Sequence, residues 1–394
     1  MKILMIAPTP YFSDRGCHVR ILEETRALQS LGNEVITTTY HNGNDVQGIA
    51  IRRIPNIPWY NKLEAGPSYH MLYLDLLLLF ESLNSIRKSR PDIIHAHLHE
   101  GTFIGKICSS LLNIPLVADM QGSLSNEMAD HGFLKKESFI YRSIRQFEML
   151  LYRFPNAILV SSNMMGDILK KEYKSEKEKI FIVEDGVNTE VFHPDIEVNS
   201  LKKKIGIPDG KKIVVFLGLL NEYQGIDYLL KAIPLVLKDF KDVHFLIMGY
   251  PNVDKYQEIA LELGLKDNVT FTGRIDYKKA NEYLALGDIA VSAKISETES
   301  NGKIYNYMAT GLPTVVFDNK VNRDILGDLG IYAIPKDQYS LAEKICTLLR
   351  DEELSKRLGI KVREKAVRDY SWNRTGEKIM EVYRMCNKNS GGKK

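Results

Sequence analysis

Short apolar runs alternate with segments of helical periodicity along most of this chain, and the alternation starts twice. In the first half, an apolar run at residues 2–7 (KILMIA) is followed by a polar loop and a helical segment over 19–31. A second strand-like run, EVITTT, follows at 34–39. Continuous apolar runs of this length are typical of parallel strands buried on both faces. The pattern predicts a doubly wound α/β unit, in which ligands bind beyond the carboxyl ends of the strands.

The second half of the chain repeats this pattern after a polar, proline-containing segment at 192–200. A length of 394 residues is also more than a typical single domain needs. We therefore predict one Rossmann-like domain over 1–190 and a second over 191–371. A last amphipathic helix is predicted within 372–390, and we expect the polar tail from 387 onward to be disordered.

Charge and cysteine content limit the functional classes. The 53 basic and 50 acidic residues give a formal net charge of +3, which does not favour a nucleic-acid partner. The four cysteines are far apart and form no CxxC pair, as expected of a protein in a reducing cytoplasm. The longest apolar run, 71–80, contains Asp75 and is too short to span a bilayer. We expect a cytoplasmic protein, with no secretion signal at its start.

The segment 291–317 (VSAKISETESNGKIYNYMATGLPTVVF) suggests an anion site. It is predicted to run from a strand through the polar loop 296–302 into a helix that begins at Lys303, and then into another strand. A helix N-terminus offers free N–H groups and a positive dipole end, and Lys303 adds a full positive charge. The alternative is a solvated turn with no ligand.

Two further patterns each allow two interpretations. His95, His97, His99 and Glu100 lie at or just after the end of a predicted strand over 92–96, and they could bind a metal ion or line a cleft. Alternate residues of a strand share one face, but a metal would need another converging ligand, so we predict no metal site. Residues 133–154 form a basic amphipathic helix that could bind an anionic membrane surface. We favour an ordinary helix that packs on its own domain and leaves its arginines in solvent.

Several short segments together resemble the GT-B-fold glycosyltransferases and, within them, the large retaining family 4. The resemblance covers nearly the whole chain, and the order and spacing of the segments make it specific. The matching segments are Arg15-Gly16 with the helix ending Leu-Gly-x-x-Val, DIIHAH at 92–97, DGVN at 185–188 with FHP at 192–194, FLG at 216–218 with GID at 225–227, and ESNG at 299–302 with MATGLP at 308–313.

The resemblance implies a GT-B fold, with two doubly wound Rossmann-like domains facing each other across a cleft. It implies transfer of a hexose-type sugar from a nucleoside-diphosphate donor, with retention at the anomeric carbon. The carboxyl-terminal domain would hold the donor and the amino-terminal domain a glycan or lipid-linked saccharide acceptor. The helix at 372–390 would cross back onto the first domain. No metal or other cofactor is expected, and a peripheral contact with the inner membrane face is a further expectation.

The departures from the family pattern concern charge. The family's diphosphate-binding Arg and Lys fall on Leu219 and Gln224, so both cations are missing. Stabilisation of the leaving group is usually the largest catalytic contribution. We expect Lys303 to replace the missing cations, with Arg15 and Arg274 as helpers.

The family's remaining motif positions assign the other roles. Asp119 and Gln121 are expected near the anomeric carbon on the acceptor side, and Glu299 is expected to contact sugar hydroxyls. Asp119 could instead cap a helix, and Gln121 could be a buried structural amide. The expected substrate-binding residues are Arg15, Gly16, His97, Gly218, Gln224, Arg274, Asn301, Gly302, Lys303 and Asn306.

The mechanism that the resemblance implies is a front-face displacement, in which the departing phosphate helps to deprotonate the acceptor. The missing cations leave three alternatives open. The protein could be a catalytically altered GT-B protein that binds a sugar or lipid phosphate, or a sugar-nucleotide epimerase. It could also use a polyprenyl-monophosphate sugar as its donor.

Overall fold

The computed structural model describes residues 1–12, 16–61, 70–130, 134–135, 137–295 and 300–391. The chain forms two compact units, and the last helix belongs with the first of them. Unit 1 comprises residues 1–186 and the segment from Trp372 onward, and unit 2 comprises residues 187–371.

Unit 1 contains a seven-stranded parallel sheet with the strand order β3-β2-β1-β4-β5-β6-β7. Its strands are β1 (Lys2–Ala7), β2 (Glu34–Thr39), β3 (Ala50–Arg53), β4 (Ile93–His97), β5 (Leu116–Met120), β6 (Ala157–Val160) and β7 (Ile180–Ile182). Its helices are α1 (Gly16–Ser30), α2 (Met71–Ser89), α3 (Leu98–Leu112), α4 (Leu124–Asp130), α5 (Phe139–Leu151) and α6 (Asn163–Lys171).

Unit 2 contains a six-stranded parallel sheet with the order β10-β9-β8-β11-β12-β13. Its strands are β8 (Lys212–Leu217), β9 (Val243–Met248), β10 (Val269–Gly273), β11 (Ile289–Ser292), β12 (Thr314–Phe317) and β13 (Ile331–Ala333). Its helices are α7 (Asn199–Lys204), α8 (Ile226–Asp239), α9 (Val253–Glu262), α10 (Ala280–Leu284), α11 (Lys303–Ala309), α12 (Lys320–Leu326), α13 (Gln338–Arg350) and α14 (Glu352–Asp369).

The final helix, α15 (Trp372–Gly391), packs against α1 in unit 1. A Cβ added to Gly376 would lie 2.9 Å from the Cβ of Ala27, so the two helices approach closely where neither side chain is large. The tail from 387 was expected to be disordered, but α15 remains helical through Gly391. Helix α15 therefore extends further than the polar composition suggested.

The central strands of both sheets are buried on both faces, as the continuous apolar runs predicted. In unit 2 the side chains of Phe216, Phe245 and Val291 belong to one core with α8 and α13. The predicted α/β class with two Rossmann-like parallel sheets is confirmed.

The residue pattern also predicted a strand over 115–118, a helix over 101–112 and a helix over 133–154, and these three boundaries were wrong in ways that affect polar residues. Strand β5 runs to Met120, so Asp119 lies within a strand and pairs in register with His97 of β4. Helix α3 begins at Leu98 rather than at 101. Helix α5 begins at Phe139 because the Ser138 side chain accepts a hydrogen bond from the Tyr141 N–H, which caps the helix.

Candidate functional site

Each sheet has one point at which the strand order reverses, between β1 and β4 in unit 1 and between β8 and β11 in unit 2. In open parallel sheets the crevice at such a point, beyond the carboxyl ends of the strands, is the usual ligand site. The predicted site residues of each unit lie mainly on strands and loops at these two reversal points.

Lys303 lies at the reversal point of unit 2. Its Nζ donates a 2.7 Å hydrogen bond to Oε1 of Gln224, in the loop after β8, and lies 4.5 Å from the ring centroid of Phe216. A Cβ added to Gly218 would lie only 2.5 Å from Lys303 Nζ. Glycine at 218 therefore makes room for the ammonium group. Three predicted residues, Gly218, Gln224 and Lys303, are brought together.

The electrostatic environment of Lys303 is unusual for a lysine. Burial, and then the nearby positive charge of Lys294, lower the pKa of Lys303 to about 7. Among the residues that the structure describes, no carboxylate contributes to this pKa. The hydrogen-bond acceptor of Lys303 is a neutral amide oxygen. An anion placed here would favour the charged form of the amine.

Asn301 has a structural role in this loop. Its buried side-chain amide donates to Ser292 Oγ at 3.0 Å and to Asn322 Oδ1 at 2.9 Å. These bonds hold the start of α11 against β11 and α12. Next to it, Gly302 is exposed. The predicted ligand contacts of Asn301 could therefore come only from its backbone.

Asn306 and Arg274 lie at two other places in unit 2. Asn306 lies one turn after Lys303 on α11, on the same side of the helix, and is partly exposed. Arg274 follows β10, and its guanidinium carbon lies 5.2 Å from the ring centroid of Tyr250, which follows β9.

Two close backbone contacts that the sequence analysis did not single out join the loops of unit 2. A Cβ on Gly225 would lie 1.9 Å from the carbonyl oxygen of Ala293, and Gly225 has a φ of +73°. A Cβ on Gly249 would lie 1.8 Å from the carbonyl oxygen of Gly218. These glycines allow the loops after β8, β9 and β11 to contact each other through their backbones.

The reversal point of unit 1 contains a buried ionic cluster centred on Arg20 of α1. The Arg20 guanidinium lies 2.8 Å from Asp119, 3.0 Å from Glu24 and 2.7 Å from Asp185. It also donates to the carbonyl oxygen of Val183 at 3.1 Å. Arg20, Glu24 and Asp185 were not predicted as site residues. Their signal is weak because Asp119 and Asp185 are far from Arg20 in the sequence.

The charges of this cluster largely neutralise each other. Burial raises the pKa of Asp119, but the Arg20 guanidinium outweighs this, and the pKa lies well below its usual range. Burial holds the pKa of Glu24 well above its usual value, against the effect of Arg20. Burial and neighbouring His97 lower the pKa of His95, which favours a neutral imidazole.

The four buried side chains of Glu24, His95, His97 and Asp119 offer ligand atoms within 4.8 Å of one another, which invites a metal interpretation. However, the Arg20 guanidinium lies directly against both carboxylates. A metal cation would have to share this small volume with a fixed positive charge, so the arrangement fits an ion-pair cluster better than a metal site.

The sequence pattern grouped His95, His97, His99 and Glu100 into one polar cluster, and this grouping is wrong. His95 and His97 share one face of the strand and stack with their ring centroids 4.4 Å apart. His99 and Glu100 lie instead on α3. His99 Nε2 lies 2.8 Å from the Tyr152 hydroxyl, in a different network. His97 is fully buried, and its Nδ1 lies 3.2 Å from Asp119.

The other predicted residues of unit 1 are less enclosed. Gln121 follows β5 and is partly exposed, and its Nε2 has no hydrogen-bond partner among the described residues. Gly16 is exposed at the start of α1, and a Cβ there would meet no atom within 4 Å. Arg15 and Glu299 lie outside the described residues. Within the described residues, no helix is both long and apolar enough to cross a membrane.

In comparison with known proteins, each half of the chain matches a model of a glycosyltransferase family. A model of "Glycosyltransferase Family 4" matches residues 15–191, and a model of "Glycosyl transferases group 1" matches residues 197–365. Spore coat protein SA of Bacillus subtilis (strain 168) is 25% identical over 97% of this chain and 99% of its own length. Alpha-monoglucosyldiacylglycerol synthase of Streptococcus pneumoniae is 25% identical over 89% of this chain and 78% of its own length.

A solved structure supports the fold. Anabaena Alr3699/HepE in complex with UDP-glucose superposes with a TM-score of 0.79 over 98% of this chain and 100% of that chain, at 16% identity. This likeness concerns the GT-B fold alone. Because the two family models together cover both halves of a chain with that fold, the chain belongs to the group 1, or family 4, glycosyltransferases.

Proposed function

We propose that this glycosyltransferase moves a hexose-type sugar from a nucleoside-diphosphate donor to a glycan or lipid-linked acceptor, with retention at the anomeric carbon. Unit 2 would bind the donor and unit 1 the acceptor. The observation that carries the proposal is Lys303, an ammonium group at the reversal point of unit 2, hydrogen-bonded only to the neutral Gln224 among the described residues.

The position of Lys303 supports a role for it in place of the family's missing cations. Gln224 and Leu219 occupy the positions where the family pattern has Lys and Arg. The Nζ of Lys303 contacts Gln224 directly, so its charge lies beside one of the vacated positions. The leaving diphosphate gains negative charge as the glycosidic bond breaks, and a fixed cation there stabilises the transition state. The departing phosphate would then take the proton of the acceptor hydroxyl.

The acceptor-side residues receive different roles in this proposal. Asp119 is fully buried and bound to Arg20, which supports a positioning role for its carboxylate. Gln121, two residues later, is partly exposed, but its Nε2 is buried and has no hydrogen-bond partner within the described residues. A buried amide donor without a partner supports Gln121 as the better candidate for contact with substrate. Arg15 and Glu299 remain predictions on the family pattern alone.

The relatives suggest which donor and acceptor to test first. The solved HepE complex contains UDP-glucose, so we propose a UDP-sugar as the first donor. The streptococcal relative is named for a glucosylated diacylglycerol, so a lipid acceptor is a reasonable first class.

The test is a thermal-shift and calorimetric series with UDP, GDP, ADP and dTDP. We expect one diphosphate to stabilise the wild type and this stabilisation to be lost in Lys303→Ala. The matched control is Lys231→Ala, since Lys231 is exposed on α8 and lies outside the proposed site. A Lys303→Ala protein with unchanged diphosphate affinity and turnover would contradict the role of Lys303.

The missing cations favour testing the alternatives in the same series. A polyprenyl-monophosphate donor predicts no tight binding of any nucleoside diphosphate. Conversion of the sugar nucleotide into an epimeric sugar in the absence of an acceptor would indicate an epimerase. Binding without any product would indicate a catalytically altered protein. Glycoside product that retains the donor's anomeric configuration, read by NMR, would support the proposed reaction.

A further inference from the structure

Helix α5 of unit 1 presents an apolar stripe to solvent. Phe139 is 83% exposed, Ile140 58%, Leu150 49% and Phe147 42%. The opposite side of the helix is buried, including Glu148 and Leu151. The helix was expected to bury its apolar residues against its own domain, so that interpretation is wrong for these four side chains.

The stripe continues onto the neighbouring helix α3. Phe103 of α3 is 46% exposed, and its ring centroid lies 6.0 Å from that of Phe147. We call Phe103, Phe139, Ile140, Phe147 and Leu150 the apolar face. Of the twenty large hydrophobic side chains that are exposed in the described part of the chain, ten lie on α2, α3 or α5. The exposed apolar surface is therefore concentrated on one group of helices, which is typical of an interaction surface.

Helix α5 cannot easily rotate to bury this face, because Glu148 fixes it from the inner side. The Glu148 carboxylate accepts hydrogen bonds from Ser123, Ser125 and Tyr173 and lies 3.2 Å from His99 Nε2. Rotation would break these bonds and leave a buried carboxylate without hydrogen-bond partners, which is strongly unfavourable. The exposure of the apolar face is thus built into the fold.

Basic side chains surround the apolar face. Lys135, Arg142 and Arg153 are exposed on or beside α5, and Lys106 of α3 lies 5.1 Å from the ring centroid of Phe154. Arg145 is paired with Glu172 and does not add to this charge. Among the described residues 134–135 and 137–154, the one exposed acidic side chain is that of Glu137, so these described surroundings of the face carry a positive excess.

We propose that the apolar face docks on the surface of an anionic phospholipid bilayer. Its aromatic and aliphatic side chains would enter the boundary between headgroups and acyl chains, and the surrounding Lys and Arg side chains would contact lipid phosphates. Charge complementarity selects this occupant: a second copy of the chain would place two positively charged borders against each other, whereas anionic lipids neutralise them.

Vesicle flotation tests this proposal on the full-length protein. We expect wild type to float with phosphatidylcholine–phosphatidylglycerol vesicles and much less with phosphatidylcholine alone. The double variant Phe139→Gln/Ile140→Gln should reduce the fraction bound at least ~10-fold, because it removes two apolar side chains that would otherwise leave water for the lipid boundary. The variant Arg142→Glu/Arg153→Glu should reduce binding to the anionic vesicles and make the remainder independent of salt.

A matched control separates docking from general surface effects. Ile360→Gln/Val367→Gln removes two exposed apolar side chains from α14 of unit 2 and should float like wild type. Equal thermal unfolding of all three double variants would exclude misfolding as the cause of lost binding. The proposal fails if wild type does not float with anionic vesicles, or if the α5 and α14 variants float equally. It also fails if light scattering shows a dimer that the α5 variant abolishes.

Discussion

The two sheets share one topology but treat charge at their reversal points in opposite ways. In unit 1, a buried arginine is surrounded by Glu24, Asp119 and Asp185, and its charge is satisfied within the protein. In unit 2, Lys303 has a neutral amide oxygen as its partner and a pKa lowered to about 7. The same topological position can therefore hold a cation paired with carboxylates or a cation whose described hydrogen-bond partner is neutral. Neighbouring charges decide which of these applies.

This comparison changes how each candidate residue is understood. Asp119 and His97 matched a family pattern, but they belong to the internally neutralised cluster. Lys303 has no carboxylate partner among the described residues. A negatively charged ligand should gain more binding free energy beside Lys303 than beside Arg20. Beside Arg20 it would compete with carboxylates that are already in position.

The largest expected effect concerns the cluster of unit 1. Arg20→Met would leave Asp119 and neighbouring carboxylates buried without their cation, and we expect a loss of roughly 3–5 kcal/mol in the free energy of unfolding. Urea denaturation followed by circular dichroism measures it. Lys2→Met is the control in the same unit: it breaks the 3.8 Å pair with Glu34, in which the two side chains are 51% and 57% exposed, and should cost under about 1 kcal/mol. Equal losses in both variants would show that the Arg20 cluster does not stabilise unit 1.

The second effect is the pH dependence of diphosphate binding to unit 2. Because the pKa of Lys303 is lowered to about 7 in the free protein, the ammonium form that attracts the ligand is complete only below that pH. A bound diphosphate raises the pKa again, so binding above pH 7 takes up a proton. We expect affinity to be level below pH 7 and to fall by up to about tenfold per pH unit above it.

Calorimetry at pH 8 in buffers of different ionisation enthalpy measures this proton uptake directly. Lys303→Arg is the sharpest control, since a guanidinium remains charged throughout the range. The variant should bind with little dependence on pH between 7 and 9. If wild type and Lys303→Arg show the same pH profile, a group other than Lys303 causes the pH dependence of diphosphate affinity. The contrast in charge between the two units would then not be supported.

Much of the fold, but only part of the site, could be predicted from the sequence. Continuous apolar runs identify buried parallel strands, and a lysine after a polar loop identifies the start of α11 within a few residues. The Arg20 cluster has no such local signal. Arg20 and Asp119 are 99 residues apart, and Arg20 and Asp185 are 165 apart, so only the sheet order brings them together.

The side of a helix that becomes buried also cannot be predicted from the residues of that helix alone. Helix α5 has apolar residues on more than one side, and periodicity alone favoured burial of Phe139 and Phe147. Partners distant in sequence, Ser123 and Tyr173, bind Glu148 and decide which side faces inward. The edge strands β3 and β13 were missed because they are both short and only partly buried, so they lack the strongly apolar pattern of the central strands.

The smallest expected effects concern one glycine in each unit, Gly16 and Gly218. A Cβ on Gly218 would lie 2.5 Å from Lys303 Nζ, so Gly218→Ala must displace the ammonium group. The displaced atom is the end of a flexible side chain, but Gly218 has a φ of +156°, which L residues rarely adopt, so Gly218→Ala should also cost about 1–2 kcal/mol of stability. Diphosphate affinity should fall roughly three- to tenfold, a loss of about 1 kcal/mol.

Gly16→Ala adds a Cβ that meets no atom within 4 Å, so its thermal unfolding should match wild type within the effect of helix propensity, under about 1 kcal/mol. If the backbone at Gly16 approaches a substrate phosphate closely, as the family pattern predicts, turnover should still fall several-fold while diphosphate affinity in unit 2 stays the same. Steady-state kinetics beside calorimetry separates the two quantities. Unchanged turnover would show that Gly16 is an ordinary first residue of a helix. Gly218, which makes room for the Lys303 ammonium group in unit 2, would then be the one of the two glycines with a role in binding charge.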